Sequence, residues 1–76
     1  MIRIVIGEEE WRHRLHKVKS LIKSAKWNMY AELWNKAENE LDEAIQLAVS
    51  LRNKSIIDEI LTLLTKCKDR EKPEIE

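Results

Sequence analysis

Two histidines three residues apart, His13 and His16, are the first residues in this chain whose spacing could do chemistry. On a helix they share a face, and Glu9 lies one turn earlier, so Glu9, His13 and His16 could offer three ligands to a divalent metal. The arrangement HExxH, which places a general base between two zinc-binding histidines, is absent. Histidines at this spacing on a polar face are more often solvated than ligating, and no metal is expected. Cys67 is the single cysteine and falls on an apolar stripe, where a buried structural thiol is expected rather than a nucleophile. Glu40, Asp42 and Glu43 could act as acid–base groups only in a cleft, and on so polar a helix they read as a solvated face. The single glycine leaves no Gly-rich loop to cradle a phosphate. The expectation is a protein with no catalytic residues and no cofactor.

A different set of residues points to binding. From Trp11 to Trp27 there are six basic residues (Arg12, Arg14, Lys17, Lys19, Lys23 and Lys26) and no acid. From Asn28 to Leu51 there are five acids (Glu32, Glu38, Glu40, Asp42 and Glu43) against Lys36. A basic helix beside an acidic one is complementary, so internal pairing and solvated faces account for much of this pattern. The alternative is a basic face shown to an acidic partner. Trp11 and Trp34 sit on apolar stripes and read as core. Trp27 sits off them; it either caps a helix–helix corner or serves as an exposed anchor, a role in which tryptophan is enriched. Trp27, Lys23, Lys26, Lys19 and Arg12 are therefore the expected partner-binding residues. The same lysines with Trp27 stacking on a base would suit nucleic acid. However, the 76-residue chain has 14 basic and 14 acidic residues, a balance unlike that of a protein that coats nucleic acid.

The elements that must position these residues follow from periodicity. Ile2, Ile4 and Ile6 alternate with Arg3 and Val5, the pattern of a β-strand over 2–6 that Gly7 ends. Glu8, Glu9 and Glu10 suit the first turn of a helix, where acids complement its dipole. Trp11, Leu15, Val18, Ile22 and Ala25, widened by Leu21, form one amphipathic stripe. A second runs through Tyr30, Leu33, Trp34, Ala37, Leu41, Ala44, Ala48 and Leu51. It is rotated by roughly 90–100° from the first, which predicts a break near Lys26 to Asn28 with Asn28 as N-cap. The rival is one uninterrupted helix to Leu51. Asn53 suits a left-handed helix end, and Ser55 with Asp58 resembles a capping box. Ile56, Ile60, Leu63 and Cys67, broadened by Ile57, Leu61 and Leu64, make the third stripe.

These spacings predict a mainly all-α fold: a single helical domain over 1–68, with strand 2–6 preceding a three-helix antiparallel bundle of helices at about 9–26, 29–51 and 55–68. Residues 69–76, charged and holding the only proline, are expected to be a disordered tail. A lone strand leaves its backbone groups unpaired. It is expected to pair with a second copy in a homodimer; the alternatives are a foreign sheet edge, or an apolar lead-in packed on the helices. A lone cysteine fits a reducing compartment, so a cytoplasmic location is expected. No apolar run reaches membrane-spanning length, and Met1 to Ile6 is too short for a signal peptide.

The segment Asp42 to Asn53 resembles the second helix and exit turn of a tetratricopeptide-type repeat. Ala37, Leu41 and Ala44 match its small–large–small spacing, and Leu47-Ala48 and Leu51-Arg52-Asn53 match its exit. The glycine near the end of the first repeat helix and the proline after the second are missing. The resemblance covers about 37–53 and implies a protein-interaction scaffold. Together with the residues above, it leads to the expectation of a small non-catalytic protein–protein interaction module or regulatory subunit. The alternative is a nucleic-acid-binding protein using the basic face of the first helix.

Overall fold

A computed structural model describes residues 8–73 of the chain. Three helices follow one another: α1 (Glu8–Tyr30), α2 (Trp34–Leu51) and α3 (Lys54–Lys68). The described residues contain no strand. The expected strand with Ile2, Ile4 and Ile6, and its pairing across a dimer, lie outside the described residues.

The core is built from the predicted stripes. Val18, Ile22, Ala25 and Met29 of α1, Ala37, Leu41, Ala44, Ala48 and Leu51 of α2, and Ile60, Leu63 and Cys67 of α3 are buried together. No polar or charged side chain is buried among the described residues. The alanines matter here: without long side chains, two helices can approach closely along their shared ridge. α2 is the shared element, packed against α1 on one side and α3 on the other. α1 and α3 scarcely meet. The expected three-helix antiparallel arrangement is thus built as two hairpins that share α2, with an open side between the outer helices.

The breaks fall elsewhere than periodicity predicts. α1 runs through Trp27 to Tyr30 because Met29, fully buried, extends its stripe in register and no Gly or Pro intervenes. Tyr30 and Leu33, which open the second stripe in the sequence pattern, are 54% and 49% exposed. Asn28 is no N-cap; its Nδ2 donates to Glu40 Oε1 across the α1–α2 seam. α2 starts after Leu33 without any side-chain cap.

All three helices end in the same way. The residue after the last turn takes a left-handed conformation: Glu32 (φ 66°), Arg52 (φ 55°) and Arg70 (φ 54°). The next amide reaches back to the helix: Leu33 to Asn28 O at 2.7 Å, Asn53 to Ala48 O at 3.4 Å, and Glu71 to Lys66 O at 2.8 Å. This is the Schellman closure, usually made by glycine because a Cβ disfavours the left-handed region. Arg52, not Asn53, is thus the left-handed residue between α2 and α3. Asn53 instead caps α3, its Oδ1 accepting from Ile56 N–H at 3.2 Å, so Ser55 and Asp58 do not form the cap.

Two further expectations change. Trp11 is 38% exposed rather than core, because α2 contributes no buried residue beyond Leu51 to cover the first turns of α1; Trp34 is half-buried. The tail expected to be disordered is, over residues 69–73, turned back toward α1: Lys72 Nζ lies 5.3 Å from the Tyr30 ring centroid, and Pro73 is buried.

Candidate partner-binding groove

Because α1 and α3 do not close on each other, a groove of about 920 Å³ runs between them. α1 contributes Lys19, Ile22, Lys23, Lys26 and Trp27, and α3 contributes Glu59, Thr62, Leu63 and Lys66. Each helix supplies positions i, i+3, i+4 and i+7, the row that shares one face of a helix. Two such rows facing each other make the groove. Ile22 and Leu63, each 5% exposed, form its apolar floor. Four lysines against one glutamate make its walls basic.

The charges are partly matched. Lys26 Nζ sits 3.6 Å from Glu59 Oε1, joining the two walls. Lys19, Lys23 and Lys66 form no ion pair among the described residues. Trp27 stands at the groove, half exposed, with its ring edge-on to Tyr30 at 6.2 Å between centroids and an 80° interplanar angle. Edge-to-face packing of this kind holds a large ring in place without burying it. Pro73 also lines the groove.

Four of the five residues expected to bind a partner are thus brought together: Lys19, Lys23, Lys26 and Trp27. Arg12 is not among the groove's lining; it lies roughly 10 Å further toward the N-terminus of α1, at 1.5 Å of rise per residue. Trp27 lies within α1 and not at a helix break, so it caps no corner there, and it is 51% exposed. The α3 wall and Pro73 had no distinguishing signal in the sequence.

The opposite flank of α1 carries the internal complementarity that charge patterning predicts. Ser24 Oγ donates to Glu40 Oε2 at 2.6 Å, beside the Asn28 contact to the same carboxylate. Lys17 Nζ lies 3.8 Å from Glu43 Oε2. Basic α1 and acidic α2 therefore do pair, while Lys19 and Lys23 on the α3 side of α1 form no ion pair among the described residues.

The remaining candidates stand apart from the groove. His13 and His16 are exposed, and no cluster of three or more His, Cys, Asp or Glu among the described residues is placed to hold a metal ion. Cys67 is 3% exposed, with its Sγ 3.3 Å from the Trp34 carbonyl. Burial pushes its thiol above the ordinary value of 9.0, and the charges of Glu38 and Asp42 push it the same way. The neutral thiol's stabilising contribution is accordingly complete below that ordinary value and is lost as pH rises through the higher folded one. No helix among the described residues is long and apolar enough to cross a membrane. Comparison with protein-family models, curated proteins and solved structures finds no match to this chain.

Proposed function

We propose that this chain is a small non-catalytic interaction module that binds an acidic, amphipathic helix of a protein partner in the α1–α3 groove. The carrying observation is the pair of facing rows, with a buried apolar floor at Ile22 and Leu63 and three wall lysines that form no ion pair among the described residues. Two helices held apart on a third offer the cradle into which a further helix lays its apolar face, a common mode of peptide recognition. In this reading the partner's apolar side chains cover Ile22, Leu63 and Trp27, and its carboxylates meet Lys19, Lys23 and Lys66. The tetratricopeptide-like spacing over 37–53 agrees with an interaction role. A regulatory subunit is one form such a module takes. Self-association through residues 2–6 is a separate proposal, tested by light scattering across a dilution series.

Panning a library of acidic amphipathic helices against the chain tests this reading. Selected helices should bind Trp27→Ala and Lys23→Glu at least about tenfold more weakly, which corresponds to about 1.4 kcal/mol, with helicity unchanged. Binding unaffected by either substitution would remove the groove as the site. The same lysines and Trp27 also favour the nucleic-acid reading. Steeply salt-dependent retardation of single-stranded DNA or RNA, lost in the same variants, would establish that reading instead.

A further inference from the structure

α2 itself carries an acidic, amphipathic row that its own chain leaves uncovered. Glu38, Asp42, Ile45 and Val49 stand at i, i+4, i+7 and i+11, which places them on one face of the helix. The acids that reach α1 are Glu40 and Glu43. At about 100° per residue, these two lie roughly opposite that row. Glu38 and Asp42 form no ion pair among the described residues. Asp42 and Val49 are exposed, and Glu38 and Ile45 are half-buried. The charges of both acids act on Cys67 of α3, so this face of α2 lies on the α3 side, away from α1.

The groove matches this row in spacing. Lys19 and Lys23 on its α1 wall are one turn apart, and Trp27 follows one turn later. Glu38 and Asp42 are likewise one turn apart, and Ile45 follows at the next turn. Laid parallel to α1, the row sets its carboxylates against Lys19 and Lys23. Its aliphatic end then meets Trp27 and the floor of Ile22 and Leu63. The lengths agree as well: at 1.5 Å of rise per residue, Lys19 to Trp27 spans about 12 Å and Glu38 to Val49 about 16 Å. A chain cannot place the row in its own groove, because both walls of the groove are packed on α2. The α2 that can enter is another copy's.

We propose that the acidic helix taken up by the groove is α2 of a second copy of this chain. The proposal rests on the acidic-helix reading above and gives that helix an identity. Row and groove are different surfaces, so the contact is heterologous, and copies add head to tail rather than as a two-fold pair. A chain of balanced charge, 14 basic and 14 acidic residues, thereby carries both halves of a charge-complementary contact.

Small contacts of this kind are weak, so the first test is sedimentation equilibrium of the full chain at low salt, up to about 1 mM protein. The mass should rise with concentration. Lys23→Glu in the groove and Asp42→Lys on the row should each weaken the association at least about tenfold, with helicity unchanged. The double variant, in which the signs are exchanged and the net charge is that of wild type, should recover most of the loss. In a mixture of isotope-labelled and unlabelled chains, the methyls of Ile45 or Val49 should show intermolecular nuclear Overhauser contact with the Trp27 ring. Association that neither single substitution weakens, or that lacks this contact, belongs to another surface and overturns the proposal. A chain that stays monomeric throughout overturns it too. If that monomer binds an acidic amphipathic peptide and Lys23→Glu does not, the acidic-helix reading of the groove stands and only the second copy falls. If it binds no such peptide, both fall.

Discussion

α1 has two flanks, and they meet their neighbours in opposite ways. Toward α2 it presents Val18, Ala25 and Met29, all fully buried, bordered by Ser24 and Asn28, which both donate to Glu40. Toward α3 it presents Lys19, Lys23 and Lys26, with Glu59 as the one acid opposite among the described residues that line the groove. The first flank closes and the second stays open. The difference is not hydrophobicity alone, since Ile22 and Leu63 give the open side an apolar floor. It lies in side-chain length and charge sign. Small residues and the hydrogen bonds that Ser24 and Asn28 donate to Glu40 let α1 settle on α2. Long side chains of like charge, with Lys66 on the far wall, hold α1 and α3 apart. The fold thus concentrates its complementarity on one flank and leaves the other available.

The most severe way to break this contrast is to empty the closed flank. Leu41 is fully buried at the centre of α2. Leu41→Ala should cost about 2–5 kcal/mol through lost transfer energy and the cavity left behind. In a domain this small, whose core supplies roughly 3–5 kcal/mol, that is most of the stability. Urea unfolding followed by circular dichroism should therefore show a variant largely unfolded at modest urea. A cost below about 1 kcal/mol would mean that the α1–α2 seam is not what holds the chain together.

Removing the polar part of the same seam should cost less. Glu40→Ala strips an acceptor from both Ser24 and Asn28, and hydrogen bonds to a charged acceptor contribute about 1.5–3 kcal/mol each at most, less where water can replace them. The seam is only part-buried there, so a total near 1–2 kcal/mol is expected. A double-mutant cycle with Ser24→Ala should return a coupling that accounts for part of it. A cycle with no coupling would make Glu40 a solvated acid and reduce the contrast between the flanks to packing alone.

How the chain turns is a smaller effect, and it explains what sequence reasoning could reach. The core stripes were legible, because Val18, Ile22 and Ala25, then Ala37 through Leu51, then Ile60 through Cys67 repeat with helical period. The boundaries were not. Turns are usually marked by glycine, and this chain places Glu32, Arg52 and Arg70 at the left-handed positions. With no marker at 31–33, Tyr30 and Leu33 match the phase of α2 by coincidence and draw the expected break toward Asn28. Half of the groove was legible for a similar reason. An off-stripe Trp27 among lysines is unusual in any helix, whereas Glu59, Thr62 and Lys66 look like any solvated face until tertiary packing sets them opposite α1. Glu32→Gly sharpens the point. It should stabilise the protein by about 0.5–1 kcal/mol, the relief of a left-handed Cβ less the added freedom of the unfolded chain. An unfolding midpoint that falls instead would mean that the Glu32 side chain contributes something the turn geometry does not explain.

The smallest expected effect is at the Lys26–Glu59 pair, and it decides whether the open flank is truly open. The two side chains are 32% and 49% exposed at 3.6 Å, so solvent screens most of their attraction. Pairs of this kind contribute about 0–1 kcal/mol, and a double-mutant cycle with Lys26→Ala and Glu59→Ala should give less than about 0.5 kcal/mol. Affinity for an acidic helix should move the other way, because Glu59→Ala removes the one acid among the described residues that line the groove and frees Lys26. Weak coupling with tighter peptide binding is what two unfastened walls predict. A coupling well above 1 kcal/mol would mean that the pair straps α1 to α3. The groove would then be a packed interface with a narrow mouth, and a bound helix would first have to break that strap.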